Sequence, residues 1–188
     1  MAAADFAVSK LKGALASGGA RPSLFDFHVT GLPTGVSGLT NIKYLCQVSA
    51  LPPLTVTPIE KMYFGRTVKI PGDIVFGDLS TTIYQTEAGT ERLGVEKWMD
   101  LINGHVSNVS DLEGVTADFM GKYSATGTLY QYAKDGTKTL STVEFTDLWP
   151  QAVTEIALSY DTASDLEQFD VTWSYNHYTT KIGTIKYV

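Results

Sequence analysis

Charged side chains are scarce in this sequence. Asp, Glu, Lys and Arg make up 18% of the 188 residues, against roughly 25% in an ordinary soluble protein. The hydrophobic fraction is 44%, so the chain is globular and long enough to bury a sizeable core. A weakly charged exterior around such a core indicates that part of the exterior is covered by a partner.

Other absences exclude whole classes of function. Acidic residues outnumber basic ones by 20 to 14, so no basic stripe is available to neutralise phosphates and grip nucleic acid. The single cysteine, Cys46, excludes an internal disulfide and any multi-cysteine metal site. No run of about 18 apolar residues could span a membrane, so we expect no membrane anchor. The N-terminus contains Asp5 and lacks a basic leading region, so we expect no signal peptide.

The signatures of catalysis and of cofactor or metal binding are also missing. The three histidines are far apart and none belongs to a His-Glu-x-x-His pattern. No serine lies in a Gly-x-Ser-x-Gly elbow, and Gly18-Gly19 does not precede the Lys-Ser or Lys-Thr pair of a phosphate loop. We therefore expect no catalytic residue, no cofactor and no metal, and we expect Cys46 to be a buried, unreactive thiol.

What the sequence does contain is apolar and polar residues that alternate with a period of two, which predicts β-strands. The alternating runs are rich in aromatic and β-branched residues, as a half-buried pleated sheet favours. About eight strands are predicted, at residues 25–29, 44–48, 64–70, 79–83, 129–133, 143–145, 156–160 and 169–175.

Turn-forming residues between these runs predict antiparallel hairpins. Asp135-Gly136 lies between two alternating runs and predicts a type I′ turn. Pro71-Gly72-Asp73 and Gly77-Asp78 bracket a predicted tight reversal or bulge. The prolines of Leu51–Met62 cannot donate to a sheet ladder, so this segment is predicted to be an extended excursion and not a central strand.

One helix interrupts the strands, between about Gly89 and Asn103. Its apolar residues fall on one face at helical spacing, which leaves Glu91 and Lys97 to water. Asn103-Gly104 predicts the C-terminal stop, because both residues tolerate the left-handed conformation. The apolar face consists of Val95, Trp98, Leu101 and Ile102.

The N-terminal residues leave two interpretations open. Ala7, Leu11, Ala14 and Leu15 fall at helical spacing and favour a short amphipathic arm that docks elsewhere. The alternative is a frayed tail that ends in a Ser-Gly-Gly linker.

Together these elements predict a mainly β fold, an antiparallel β-sandwich or barrel with one flanking α-helix that plugs an opening or covers a face. Because no catalytic constellation is present, the residues alone predict a β domain without enzymatic activity.

Six motifs follow one another along the chain: Ala20-Arg21-Pro22-Ser23-Leu24-Phe25, Cys46–Pro52, Gly65–Asp73 with Phe76–Leu79, Glu87-Ala88 with Arg92 and Trp98, Gln131–Asp135, and Leu148-Trp149-Pro150 with Phe169–Thr172. In the same order, they resemble motifs of the tail tube proteins of contractile-tailed, T-even-type bacteriophages. The resemblance runs from about residue 20 to about residue 178 and implies a phage tail tube or type VI secretion tube-like fold. It divides the chain into an N-terminal arm (1–19), a tail-tube β domain (20–178) and a C-terminal extension (179–188) that could add an edge strand.

The resemblance implies a structural protein of the virion, assembled in the host cytoplasm. Hexameric rings of the chain would stack into a hollow tube inside a contractile sheath, and genome DNA would pass through the lumen without specific binding. Besides other copies of the chain, the implied partners are the tail sheath protein, the baseplate tube initiator, the tail terminator and the tape measure protein. Contacts between subunits are expected from Leu54, Val56, Thr57, Pro58, Ile59, Glu60 and Met62, and from Phe6 and Leu11 of the arm. We also expect Asp and Glu to outnumber Lys and Arg on the lumen surface, because like charge keeps DNA from adsorbing.

Alternatives stay open on the sequence alone. The chain could be the tube protein of a type VI secretion system or of an extracellular contractile injection particle, which genome neighbours would distinguish. It could be the baseplate protein that initiates the tube, which copy number would distinguish. A monomeric β-barrel that binds a small apolar ligand would be identified by its solution mass.

Overall fold

Antiparallel strands build most of the structure, a computed structural model that describes residues 8–16, 18–106, 120–159, 165–183 and 185–187. The predicted fold class is confirmed. The strands are β1 (Phe25–Thr30), β2 (Cys46–Ser49), β3 (Leu54–Tyr63), β4 (Arg66–Phe76), β5 (Leu79–Tyr84), β6 (Ala125–Tyr132), β7 (Thr139–Val153), β8 (Gln168–Ser174), β9 (His177–Ile182) and β10 (Ile185–Tyr187). The helices are α1 (Val8–Ala14), α2 (Ile42–Leu45), α3 (Thr90–Ile102) and α4 (Met120–Tyr123).

Eight strands form one continuous sheet, in the order β1-β6-β7-β8-β5-β2 with β9 and β10 added beside β7. The two ends of this order, β1 and β2, contact each other, so the sheet is a flattened barrel. The flattened barrel has two layers, and strand β7 runs through both of them. Its first part pairs with β6 and β9 in one layer, and its last part pairs with β8 in the other. It turns from one layer to the other at Asp147, whose φ of 57° is uncommon for a residue other than glycine. Ser124 and Asn176 donate hydrogen bonds to the Asp147 carboxylate and hold it in this conformation.

The inward side chains of the two layers form one apolar core. Trp173 lies at its centre, with ring centroids of Phe27 and Trp98 at 6.0 and 5.8 Å. Its indole N–H donates to Thr81 Oγ1 at 2.8 Å, which satisfies the polar atom of a fully buried side chain. The expected core positions of Trp98 and Trp173 are confirmed.

Helix α3 lies where predicted and is held on the barrel by the connection that precedes α2. A Cβ at Gly94 would lie 2.5 Å from the carbonyl oxygen of Ser37, so only glycine permits this close approach. The same connection sends Leu39 and Ile42 into the core, where both are buried. Asn103 ends the helix as predicted, although in an extended and not a left-handed conformation.

Glu91 on α3 was expected to face water, and this prediction is wrong. Its side chain is 2% exposed. Burial disfavours the charged carboxylate, but hydrogen bonds outweigh this effect and hold the pKa of Glu91 below its ordinary value. The bonds come from Thr86, whose Oγ1 lies 2.7 Å from Oε2, and from Thr90, whose Oγ1 lies 3.1 Å from Oε1. Glu91 therefore ties the first turn of the helix to the segment before it.

The prediction of a strand at residues 156–160 is wrong for residues 156–159, where the structure has no strand. Residue 160 lies outside the described residues. Strand β7 instead continues through Pro150 to Val153. Because β8 pairs with β5 on one side and with residues 149–153 of β7 on the other, it has no free edge for residues 156–159.

Tyr44 was predicted to share a strand face with Cys46 but lies in α2. The carbonyl of Asn41 accepts hydrogen bonds from the N–H groups of Tyr44 and Leu45, which turns these residues into a helix. Cys46 begins β2 and is half-buried. Burial, with a smaller effect of the Asp26 charge, raises the pKa of its thiol to about 12, so the thiol is protonated at neutral pH.

Two further expectations concern hairpins. The hairpin at Asp135-Gly136 is confirmed, but Gly136 has a φ of 71° and Asp135 does not have a positive φ, so the turn is not type I′. Asp135 Oδ1 instead accepts the N–H groups of Thr137 and Lys138 at 3.1 and 3.2 Å. The expected extra edge strand is present as β10, which pairs with β9.

Candidate assembly surface

Strands β3 and β4 form a separate two-stranded sheet outside the barrel, here called the assembly hairpin (residues 54–76). At 3.3 Å per residue, the ten residues of β3 span about 33 Å. An isolated two-stranded hairpin is at best marginally stable in water. A projection of this length is therefore a surface that further contacts would stabilise.

Large apolar side chains are exposed along the whole assembly hairpin. Every residue of β3 is exposed. Ten large apolar side chains of the hairpin are between 44% and 93% exposed, whereas scattered single residues are the norm on a monomer surface. They are Leu54, Val56, Ile59, Met62, Tyr63, Phe64, Val68, Ile70, Ile74 and Val75.

The pairing register distributes these side chains over both faces of the hairpin. Ile59 lies opposite Ile70, and directly opposite residues of an antiparallel pair share a face. The neighbouring position, on the other face, holds Glu60 opposite Lys69, with Nζ 3.0 Å from Oε1. Met62 lies on that second face, where its sulfur accepts a hydrogen bond from Thr67. Both faces combine apolar and polar groups, so each can contact a different neighbour.

The segment Pro71–Asp73 continues β4 and does not reverse the chain, so the predicted reversal is wrong and the predicted irregularity is confirmed. The register shifts between Val56 and Pro58, where Pro58 lies opposite Pro71. Two prolines can oppose each other there because neither has an N–H to donate. A Cβ at Gly72 would lie 2.5 Å from the Thr57 carbonyl oxygen, so glycine allows the two strands to stay paired past this point.

The chain reverses at Phe64-Gly65 instead. Both residues have positive φ, 44° and 77°, the combination that a two-residue type I′ turn requires. Phe64 is 93% exposed, and its ring meets that of Tyr63 edge to face at 4.6 Å.

The base of the hairpin is anchored in the barrel by aromatic contacts. The ring of Phe76 lies 5.4 Å from Tyr178 and 6.3 Å from Tyr175. The Tyr175 hydroxyl donates to the carbonyl of Gly77, and the Gly77 N–H donates to Pro53 O at 3.0 Å. Burial, and then the charges of Tyr178 and Asp78, raise the pKa of Tyr175 to about 12, so the hydroxyl remains a donor at physiological pH.

The assembly hairpin also differs in charge from the rest of the chain. It contains three cations, Lys61, Arg66 and Lys69, and two anions, Glu60 and Asp73, in a protein of net charge −6. A weakly cationic projection on an acidic molecule is complementary to the other surfaces of its own copies.

Seven of the nine residues expected at subunit contacts lie together on β3. Leu54, Val56, Thr57, Pro58, Ile59, Glu60 and Met62 are all exposed there. Leu11 lies on α1, a separate element, where it is 62% exposed. Phe6 lies outside the described residues. The role of these residues in assembly stays a prediction.

Sequence reasoning missed the second half of the hairpin. The sequence pattern predicts Val68 and Ile70 in an ordinary strand and does not single out the tip residues Tyr63 and Phe64. The sequence does offer one signal for the hairpin, the glycine of Phe64-Gly65, which lies between two strand-like runs of similar length. Glycine at the second central position favours a tight hairpin turn.

Two other kinds of site were sought in the described part of the chain, a metal site and a membrane span. Within it, no three His, Cys, Asp or Glu side chains come together as metal ligands would. None of its helices is long and apolar enough to cross a membrane.

Comparison with known proteins agrees with this arrangement. Residues 22–181 match the family model described as phage tail tube protein. The chain is 26% identical over 159 residues to tail tube protein gp19 of Enterobacteria phage T4, and 27% identical to that of Enterobacteria phage T6. Each match covers 85% of this chain and 90% of the relative.

The fold also matches a solved structure of the PVC sheath–tube complex, an extracellular contractile injection system in its extended state. The TM-score is 0.62 at 14% identity, with 94% of this chain and 98% of the other covered. At this identity the likeness shows the fold alone. The family model, which matches most of the sequence, goes further, and this chain belongs to the phage tail tube protein family.

Proposed function

We propose that this chain builds the inner tube of a contractile phage tail as stacked hexameric rings. The tube lies inside the sheath and is the conduit for genome DNA. The observation that carries the proposal is the assembly hairpin, a 23-residue projection with exposed apolar side chains on both faces. A monomer has no use for such a surface, and a tube subunit needs one.

The geometry of the hairpin favours a tube over a closed dimer. The apolar residues lie on a projection at one side of the barrel, so a contact with a second copy joins two different surfaces. Such head-to-tail contacts close into a ring when the rotation allows it, and stacking of rings then generates a filament. In this arrangement Leu54, Val56, Thr57, Pro58, Ile59, Glu60 and Met62 contact neighbouring subunits, and Phe6 and Leu11 of the arm add further contacts.

The proposed partners follow from the position in the tail. Copies of the chain contact each other, the tail sheath protein surrounds the tube, and the baseplate initiator and tail terminator contact its two ends. The tape measure protein and then genome DNA occupy the lumen. DNA passes without specific binding because Asp and Glu outnumber Lys and Arg on the lumen surface, which repels the polyanion.

The proposed role is mechanical and not catalytic. The chain divides into an arm (1–19), the tube domain (20–178) and a C-terminal extension (179–188), each of which contributes surface and not chemistry.

Negative-stain electron microscopy of the purified protein across a concentration series tests this function. We expect hollow tubes or six-fold rings, with a bore whose charge can then be assigned from a reconstruction. Small featureless particles at every concentration contradict the proposed assembly, and a positively charged bore contradicts the proposed passage of DNA. A monomer that holds an apolar ligand would support the small-ligand binder instead.

A further inference from the structure

The tip of the assembly hairpin has a strained aromatic residue. Phe64 adopts a φ of 44°, in a turn position where Asn, Asp or Gly is the favoured residue because a bulky side chain crowds the backbone. Its ring is almost fully exposed and meets the exposed ring of Tyr63 edge to face, so little packing within the chain compensates for this conformation. A backbone outlier of this kind indicates a role outside the monomer.

At the opposite end of the same hairpin the barrel has an apolar groove, here called the base groove. It consists of two adjoining cavities of about 210 and 300 Å³, which share Leu51, Gln131 and Ser141 in their lining. Its apolar walls include Phe25 and Leu129 in one cavity and Val143 and Ile182 in the other. An apolar cavity of roughly 150 Å³ is large enough for a benzene ring, so each part of the groove can hold an aromatic side chain.

The groove also contains a polar atom that lacks a partner. Ser49 Oγ is buried and has no hydrogen-bond partner among the described residues, and Ser49 lines the first cavity. A buried hydroxyl without a partner is unfavourable. Because the Oγ itself is closed off from solvent, it marks an unfavourable spot in the wall of the groove and is no direct partner for a docked group.

The tip of a hairpin cannot reach the base groove of its own chain. Leu51 and Pro52 line the groove and β3 begins two residues later, at Leu54. The paired strands then carry the tip about 33 Å away from that point. A hairpin tip that fills the groove must therefore belong to a different copy.

We propose that the Tyr63-Phe64 tip of one copy inserts into the base groove of a neighbouring copy. This contact deepens the proposed tube function and rests on it. Its two halves lie at opposite ends of one rigid hairpin, so the contact is heterologous and repeats from copy to copy. The exposed aromatic pair is the anchor, because aromatic side chains that fill a pocket dominate the energy of interfaces. The strain at Phe64 is retained because it aims the ring beyond the end of the strands.

A single substitution separates the tip contact from the stability of the fold. Phe64→Asn keeps a residue that tolerates positive φ and removes the ring. We expect the concentration needed for assembly to rise about tenfold or more, since a buried aromatic ring contributes at least one decade of affinity. We expect the melting temperature of the dilute monomer to stay equal or to rise, because the strain is relieved. Leu158→Asn, at another exposed apolar residue, is the matched control and should leave both values unchanged.

The outcomes of this experiment distinguish the two proposals. Assembly of Phe64→Asn at the wild-type concentration overturns the tip contact and leaves the tube function standing. Failure of the wild-type chain to assemble at any concentration overturns both. A fall in the melting temperature of monomeric Phe64→Asn shows that the ring supports its own chain, and also overturns the proposal.

Disulfide trapping identifies the occupant of the groove. In a Cys46→Ser background, chains with Arg66→Cys, which keep both tip rings, are mixed with chains with Leu51→Cys under oxidising conditions, so that any bond between the two types joins different copies. A disulfide requires Cα atoms within about 7 Å, so we expect rapid trapping of this pair and none between Arg66→Cys and Ser80→Cys, an exposed position on β5. The amphipathic helix α1 is the competing occupant, with Val8, Leu11 and Leu15 exposed. Trapping of Leu11→Cys with Leu51→Cys, in place of the tip pair, overturns the proposal.

Discussion

The barrel and the assembly hairpin are made of the same kinds of residues but bury them in opposite ways. In β8, apolar residues alternate with polar ones and each apolar residue is buried, and in β5 the buried positions Leu79, Thr81 and Ile83 also alternate. In β3 and β4, apolar residues of the same types lie on both faces and almost all are exposed. Alternating residues complete their burial within one chain, whereas the two-sided apolar hairpin leaves its apolar surface exposed in the single chain. Exposed apolar side chains, and not a local lack of charge, distinguish the hairpin, since 5 of its 23 residues are charged.

The largest effect should come from the centre of the barrel. We predict that Trp173→Ala lowers the free energy of unfolding by about 3–5 kcal/mol, because it removes a fully buried indole and leaves a cavity. Tyr63→Ala, an aromatic truncation in the hairpin, should change it by no more than about 0.5 kcal/mol. Urea denaturation of dilute monomer measures both, and equal losses would erase the distinction between the two regions.

A charge placed on the hairpin should weaken assembly and leave the stability of the monomer almost unchanged. Ile70→Lys should weaken each contact between copies by about 3 kcal/mol, since it removes apolar burial and leaves an unpaired ammonium group in the interface. Its free energy of unfolding should stay close to wild type because Ile70 is exposed in the monomer. Sedimentation velocity detects the loss of large species. Ser80→Lys on β5 is the control, and tubes of normal yield from Ile70→Lys would show that the hairpin is not the contact.

The same steric conflict can be introduced in both regions. An added Cβ would lie 2.5 Å from a carbonyl oxygen at either Gly94 or Gly72. We expect Gly94→Ala to destabilise the monomer by about 1–3 kcal/mol and Gly72→Ala to leave the monomer stable but impair assembly, because it separates β3 from β4. Thermal unfolding measures the stability of each monomeric variant, and sedimentation velocity measures whether each variant assembles. Gly19→Ala, with open space around its Cβ, should change neither property, and any exchange of the two phenotypes would contradict the comparison.

The smallest effect concerns the two paired carboxylates. Glu91→Gln should lower the free energy of unfolding at pH 7 by about 1–2 kcal/mol, since a buried charged acceptor of hydrogen bonds is lost. The pKa of Glu91 is lower in the folded protein than its ordinary 4.5. Its contribution is therefore present above that pH and disappears as the pH falls through the folded-state pKa.

Denaturation of wild type and Glu91→Gln between pH 7 and pH 3 should thus give curves that converge on the acid side. Glu60→Gln in the hairpin, whose partner Lys69 is also exposed, should change stability by less than about 1 kcal/mol. A gap between wild type and Glu91→Gln that widens in acid would contradict the assigned hydrogen bonds.

Much of the barrel follows from the sequence because local patterns coincide with burial there. Phe25–Val29 and Phe169–Trp173 alternate as strands must, and Trp98 and Trp173 reached the core as expected. The bend at Asp147 could not be predicted, because it depends on Ser124 and Asn176, which are distant in sequence. Without that bend, residues 156–160 resemble the next strand.

The candidate site was predicted only in part. The prolines of Leu51–Met62 indicated correctly that this segment leaves the central sheet. The full length of the hairpin could not be predicted, because Pro71 and Gly72 are as typical of a chain reversal as of a bulge. In the structure Pro71 lies opposite Pro58 at an irregularity, and the two strands continue past it. The exposure of Val68 and Ile70 could not be predicted either, since this exposed strand has the same apolar composition as one buried by its own chain.

Hydrogen exchange of backbone amides, in the dilute monomer and in the assembled protein, tests the central claim most directly. The barrel amides should be protected to a similar extent in both states, because their burial is complete within one chain. We predict that the largest gain of protection on assembly falls within residues 54–76 and is greatest around the Phe64-Gly65 tip. Hairpin amides that exchange at the same rate in both states, with the gain confined to the barrel, would contradict the account.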